Sequence, residues 1–253
     1  MKVIAIANQK GGVAKTTTTY NLACAKALEG NTVLMIDLDP QASLTIAAGI
    51  EPGKGEFAEV NTSTIFDTDT KTMIENCAYN IPGIDLENLY IVASGIDLAT
   101  IEARLAGKLG SEQKLKRSLS NIDGVIDYVF IDCPPQLGLL TINALVAADE
   151  VIIPCKVDYL SYRGLQALYN TIDEVREFAN PNIKVAGVVA TFFEKIVNDH
   201  KDILEVLEEQ YELIGVIKKS ADVNRDILDG KPVVLAKKSS DVSKAYLEVA
   251  AKI

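Results

Sequence analysis

The strongest constraint on this chain is an alternation of two kinds of segment. Short, continuously apolar runs rich in β-branched residues recur at 3–7, 32–36, 89–93, 128–131, 151–154 and 185–190, with a weaker one at 213–216. Continuous rather than alternating hydrophobicity indicates strands buried on both faces of a parallel sheet. Helical patterns fill the gaps at 16–28, 96–106, 112–119, 165–178, 201–211 and 243–251. The expected fold class is therefore α/β, a doubly wound, mostly parallel sheet with helices on both faces and ligands at the carboxyl ends of the strands. No internal repeat, low-complexity segment or linker interrupts the pattern, and 51–61, with Pro52, Gly53 and Gly55, reads as a loop excursion. A single domain over 1–253 is the simplest organisation.

Composition excludes several classes. Hydrophobic residues make up 48% and charged ones 24%, ordinary values for a folded globular chain. No apolar run reaches the ~18–20 residues of a membrane span, and the opening residues 1–7 read as a buried strand rather than a signal peptide. Cys24, Cys77, Cys133 and Cys155 form no Cys-x-x-Cys pair, and the single histidine, His200, has no cysteine near it. Reduced, buried thiols in a cytoplasmic protein are the expectation. His200 lies among Asp199, Lys201 and Asp202, at the exposed start of a helix.

Directly after the first apolar run comes Asn8-Gln9-Lys10-Gly11-Gly12-Val13-Ala14-Lys15-Thr16-Thr17, followed by a helix. Gly11 and Gly12 let the backbone curl so that its N–H groups, with Val13, Ala14 and Thr17, cradle an anion at a helix N-terminus. Lys15 would reach β/γ-phosphate oxygens, and the Thr16 hydroxyl would hold Mg²⁺. The second run delivers Asp37 and Asp39 within Asp37-Leu38-Asp39-Pro40-Gln41, at a carboxyl end where a ligand crevice lies. The run 128–131 delivers Asp132 into Cys133-Pro134-Pro135-Gln136. Four apolar residues closed by an aspartate suit a carboxylate that meets magnesium through its water ligands, and Cys133 reads as packing.

The loop lacks the strict G-x-x-x-x-G-K-[ST] spacing: Gln9 and Ala14 replace glycines, and Lys10 is an added cation. K-G-G-x-x-K-[ST] with D-x-D-P-Q and D-C-P-P resembles the deviant-Walker P-loop ATPases, and residues 139–145, 149–154, 159–165, 230–233 and 243–246 resemble their ParA branch, a likeness over nearly the whole chain. The resemblance implies an ATPase using ATP and Mg²⁺ that forms a homodimer when ATP-bound. In it Lys10 reaches across the dimer to the partner's nucleotide, as an arginine finger does. Asp39 aligns the attacking water, and Asp37 contacts the loop or the magnesium's water shell. With the loop starting at residue 8, the short form without an N-terminal helix-turn-helix domain is expected. A MinD-like positioning ATPase is disfavoured because the end of the chain lacks a basic amphipathic membrane helix. A metabolic ligase resembling dethiobiotin synthetase is the rival from another class, and it has no use for Lys10.

The resemblance also implies non-specific DNA binding, a nucleoid-associated location, and a ParB-like or other cargo adaptor that stimulates hydrolysis. A net charge of −10 opposes DNA binding. Locally, Lys218, Lys219, Arg225, Lys231, Lys237 and Lys238 outnumber Asp222, Asp226 and Asp229. Lys218, Lys219, Arg225, Lys237 and Lys238 are the DNA-contact candidates, an ordinary solvated basic patch being the alternative. Lys218-Lys219-Ser220 departs from the family's Pro-Arg-Asn and leaves the adenine contacts unassigned.

Overall fold

The computed structural model describes residues 1–253 except 59, 68–73, 96 and 221–229. Ile96, in an expected helix, and Arg225, a DNA-contact candidate, thus lie outside the described residues. Strands β1 (Lys2–Ile6), β2 (Val33–Asp37), β3 (Ala78–Asn80), β4 (Leu89–Val92), β5 (Tyr128–Asp132), β6 (Glu150–Lys156), β7 (Lys184–Phe193) and β8 (Leu213–Lys218) build one eight-stranded sheet. Its order is β3-β4-β2-β5-β1-β6-β7-β8. All pairings are parallel except that of β3 with β4.

The continuous apolar runs have the expected cause: successive strand residues enter two different cores. On β1, Val3 and Ala5 join one cluster, and Ile4 and Ile6 join the cluster on the opposite face. The second cluster is roofed by α1 (Lys15–Leu28), with Tyr20, Leu22 and Ala23 buried, and by the C-terminal helix with Tyr246 and Val249. Helices α2 (Ser43–Ala47), α3 (Thr62–Phe66), α4 (Asp97–Leu105), α5 (Lys114–Leu119), α6 (Leu139–Ala147), α7 (Tyr159–Phe178) and α8 (Asn198–Gln210) follow in chain order. Two more, α9 (Val233–Ala236) and α10 (Asp241–Ala250), close the described chain. Among the described residues no helix is long and apolar enough to cross a membrane.

Strand β3 and helices α6 and α7 depart from the expectations, as do the short helices α2, α3 and α9, which no expected helical pattern covers. Strand β3 has only three residues, half-buried or exposed, on the antiparallel edge, so it carries no apolar run to read. Helix α6 buries Leu140, Thr141, Asn143, Ala144, Leu145 and Val146 on nearly every side, which erases a helical period. Helix α7 starts six residues before 165, at Tyr159, because the Asp158 carboxylate accepts a hydrogen bond from Ser161 N and caps it. The described residues of 51–61 form a loop with one 3₁₀ turn, Gly55–Ala58. His200 sits in the first turn of α8, where its Nδ1 accepts a hydrogen bond from Glu194 N.

Candidate functional site

The order of strands reverses around β1, so the carboxyl ends of β1, β2 and β5 open onto a shared crevice. The loop leaving β1 is fixed from outside itself. Asn8 donates to Pro154 O and accepts from Lys10 N, Gln9 donates to Gly164 O, and Thr191 Oγ1 donates to Val13 O. Gly12 has φ +70°, a conformation that glycine adopts without steric cost. Ala14 adopts the same left-handed region at the α1 N-cap, where the stricter pattern has glycine. No side chain caps α1 and its first turn holds no acid, so its N-terminal amides remain directed to an incoming anion. Gly11, Gly12, Ala14, Lys15, Thr16, Thr17, Asp39, Ser43, Ala47, Pro135 and Phe192 line a cleft of about 380 Å³ there. That volume suits a small ligand.

Lys15 is buried, its Nζ donating to Lys10 O at 3.1 Å. Burial lowers its pKa, an effect opposed by the nearby Asp132, Cys133 and Asp39. Thr16 Oγ1 donates to Asp132 Oδ2 at 2.7 Å, and Thr19 Oγ1 reaches Asp132 Oδ1 at 3.3 Å. Asp132 is itself buried, and desolvation with the adjacent Asp37 pushes its pKa well above the carboxylate range. A carboxyl so placed calls for a cation.

Asp37 is wholly buried and already engaged: Oδ1 accepts from Asp39 N, and Oδ2 from Thr45 N and Thr45 Oγ1. It anchors the turn that presents Asp39, rather than projecting into the cleft. Asp39 is half-buried at the cleft wall, and its backbone carbonyl is tied by Ser94 Oγ. Cys133 is buried with its thiol pushed far up by burial, which fits packing and not nucleophilic chemistry.

Lys10 does not extend into solvent. Its Nζ lies 2.8 Å from Asp158 Oδ1 and 2.9 Å from Ser161 Oγ, on the first turn of α7. Burial would raise the Asp158 pKa, but hydrogen bonds from Lys10, Ser161 and Lys156 outweigh it and hold the carboxyl far below the usual range. Sequence reasoning did not single out Asp158 or Ser161. The available signal was an aspartate followed three residues later by serine at a helix start.

The basic candidates lie elsewhere. Lys218 Nζ pairs with Asp241 at 2.7 Å, and Lys219 Nζ with Glu194 at 2.9 Å, both at the surface. Lys237 is half-buried beside the exposed Lys238.

A family model described as an AAA domain matches residues 1–185. The sporulation initiation inhibitor protein Soj of Bacillus subtilis is 35% identical over 255 residues, covering 100% of this chain and 98% of Soj. The chromosome partitioning protein ParA of Caulobacter vibrioides is 33% identical over 261 residues, covering 100% and 94%. Among solved structures, cobyrinic acid a,c-diamide synthase from Mycobacterium smegmatis with bound ATP analogue and magnesium superposes with a TM-score of 0.82 at 35% identity, covering 99% and 93%. With the glycine loop, the lysine–threonine step and the buried aspartate in one crevice, the chain belongs to the AAA-domain family of P-loop proteins that includes Soj and ParA.

Proposed function

We propose that this protein is a Mg²⁺-dependent ATPase of the ParA kind, an ATP-switched dimer that partitions or positions DNA or another large cargo. The observation that carries the reading is the Thr16–Asp132 hydrogen bond beside buried Lys15 at an uncapped helix N-terminus. These groups suit a magnesium nucleotide. The described residues contain no cluster of three His, Cys, Asp or Glu able to hold a metal alone, as suits an ion held partly by phosphates. Thr16 would bind the ion directly and Asp132 through its water ligands. When bound, Mg²⁺ neutralises charge across the β- and γ-phosphates.

In this reading the backbone of Gly11–Thr17 holds the phosphates and Lys15 offsets the charge that develops between them. Asp39 orients water for attack, and Asp37 keeps Asp39 in place. Lys10 leaves Asp158 to meet the nucleotide of a second copy. The ATP dimer then binds duplex DNA without sequence preference through Lys218, Lys219, Arg225, Lys237 and Lys238, and a ParB-like or other adaptor stimulates slow hydrolysis. The location that follows is cytoplasmic and nucleoid-associated. The similarity to the Mycobacterium smegmatis synthase supports a second reading, an ATP-dependent metabolic enzyme. Lys10→Ala separates the two, since only the switch loses ATP-dependent association.

Calorimetric titration with ATP and Mg²⁺ tests the site. Lys15→Ala and Thr16→Ala should each lower affinity or turnover at least about tenfold, the scale of losing a charged contact in a buried site. Unchanged binding and turnover in both variants would place the site elsewhere.

A further inference from the structure

Phe192 combines three observations that phosphate binding leaves unexplained. Its φ is +58°, the left-handed region that bulky residues other than glycine rarely occupy. It lies at an irregularity of the sheet: Ala190 pairs with Val216 and Phe193 with Lys218, so Thr191 and Phe192 together oppose Ile217 alone. That is the geometry of a β-bulge, a device that re-aims a side chain beside a functional site. The displaced residue also lines the cleft shared by Gly11, Gly12, Lys15, Thr16 and Thr17.

The bulge changes which way the aromatic faces. On regular β7, Phe192 would follow Val188 and Ala190 into the core they share. Instead Phe193 packs against that core, and Phe192 is left half-buried at the cleft. Thr191, its neighbour, is fastened to the phosphate loop through Val13 O at 3.1 Å, which ties the backbone carrying the ring to that loop. Strain held by surrounding structure marks a site where conformation serves a purpose.

The charged and aromatic walls of the cleft lie on opposite sides of β1. Asp39 follows β2 and Asp132 ends β5, on one side of β1, whereas Phe192 is the penultimate residue of β7 on the opposite side. A triphosphate with its cation belongs beside the carboxylates, so the remainder of a nucleotide extends toward Phe192. We propose that Phe192 is a stacking platform for the nucleotide's base, supplying contact area in place of hydrogen-bonded readout. This rests on the nucleotide reading of the cleft and adds to it the residue that meets the base.

Base–aromatic stacking has a size that calorimetry resolves, about ten- to a hundredfold in affinity. The experiment compares Mg²⁺–ADP with Mg²⁺–pyrophosphate on wild type, Phe192→Ala, Phe192→Leu and Phe192→Trp. Alanine should weaken ADP by about tenfold or more and leave pyrophosphate unchanged, which also reports an intact loop. Leucine, which fills space without a π face, should weaken ADP as well, and tryptophan should hold it near wild type. Equal ADP affinity in wild type and the alanine variant overturns the inference. Parallel loss of ADP and pyrophosphate in the leucine and alanine variants overturns it too, since Phe192 would then only support the loop. A wild type that binds neither ligand overturns the nucleotide reading itself, and the inference with it.

Discussion

At the residue scale, the site is a set of unbalanced charges held in place. Lys15 is buried with a single hydrogen bond to Lys10 O, and Asp132 is buried with two threonine hydroxyls. Burying an ionised carboxylate without a matching cation is costly, and its neutral form is favoured instead. The sign follows for stability: a carboxyl whose folded pKa is raised weakens the fold as pH climbs above its ordinary value of 3.8. Asp132→Asn removes that burden while keeping an acceptor for Thr16. The ligand-free variant should melt at or above the wild-type temperature, yet lose about ten- to a hundredfold in magnesium-dependent turnover. Melting curves and a phosphate-release assay check both halves, and wild-type turnover would show that Asp132 does not serve the ion. Lys15, Thr16 and Asp132 were legible because each is tied to a short local pattern. The engagement of Asp37 was not, since Thr45, which saturates one of its oxygens, lies eight residues on in α2.

At the scale of elements, α7 governs Lys10. Asp158 both caps the helix and grips the lysine, with Lys156 on its second oxygen at 3.3 Å. The depressed pKa of Asp158 means that this link is present above the unfolded carboxylate range and is lost only as pH falls through the lowered folded value. Mild acidification to about pH 4 should therefore leave it intact. Asp158→Asn retains an N-cap of comparable quality but not the charge. If Lys10 acts across a dimer, the variant should associate with ATP at about two- to fivefold lower protein concentration, the range for a partly exposed ion pair. Sedimentation at several concentrations measures this, and association at the wild-type concentration would mean that the pair does not restrain Lys10. The elements show where sequence reading succeeds. Strands β1, β2, β4, β5 and β6 were legible because burial on both faces writes an apolar run. Edge strand β3 and all-round-buried α6 leave neither a two- nor a 3.6-residue period, and the first turn of α7 is announced only by its cap.

At the scale of the whole molecule, the chain is acidic, at −10, and the basic segment near its end is partly neutralised by Asp241 and Glu194. Exposed pairs of this kind are weak and exchange readily for phosphate oxygens. Binding to duplex DNA should therefore require the doubled surface of a dimer and fall steeply with salt, with a log–log slope of about −0.9 per phosphate contact. Replacing Lys218 and Lys219 by glutamate should abolish it without affecting association. Fluorescence anisotropy over a salt series with ATP and with ADP checks this, and binding that survives the double replacement would move the surface elsewhere. The proposed nucleotide switch joins Lys10, Lys15, Thr16 and Asp39 in one cycle. The decisive measurement is light scattering of Asp39→Ala with ATP and Mg²⁺. Asp39→Ala should form a stable dimer with ATP and remain a monomer with ADP, whereas a mass that stays monomeric at saturating ATP would rule the switch out.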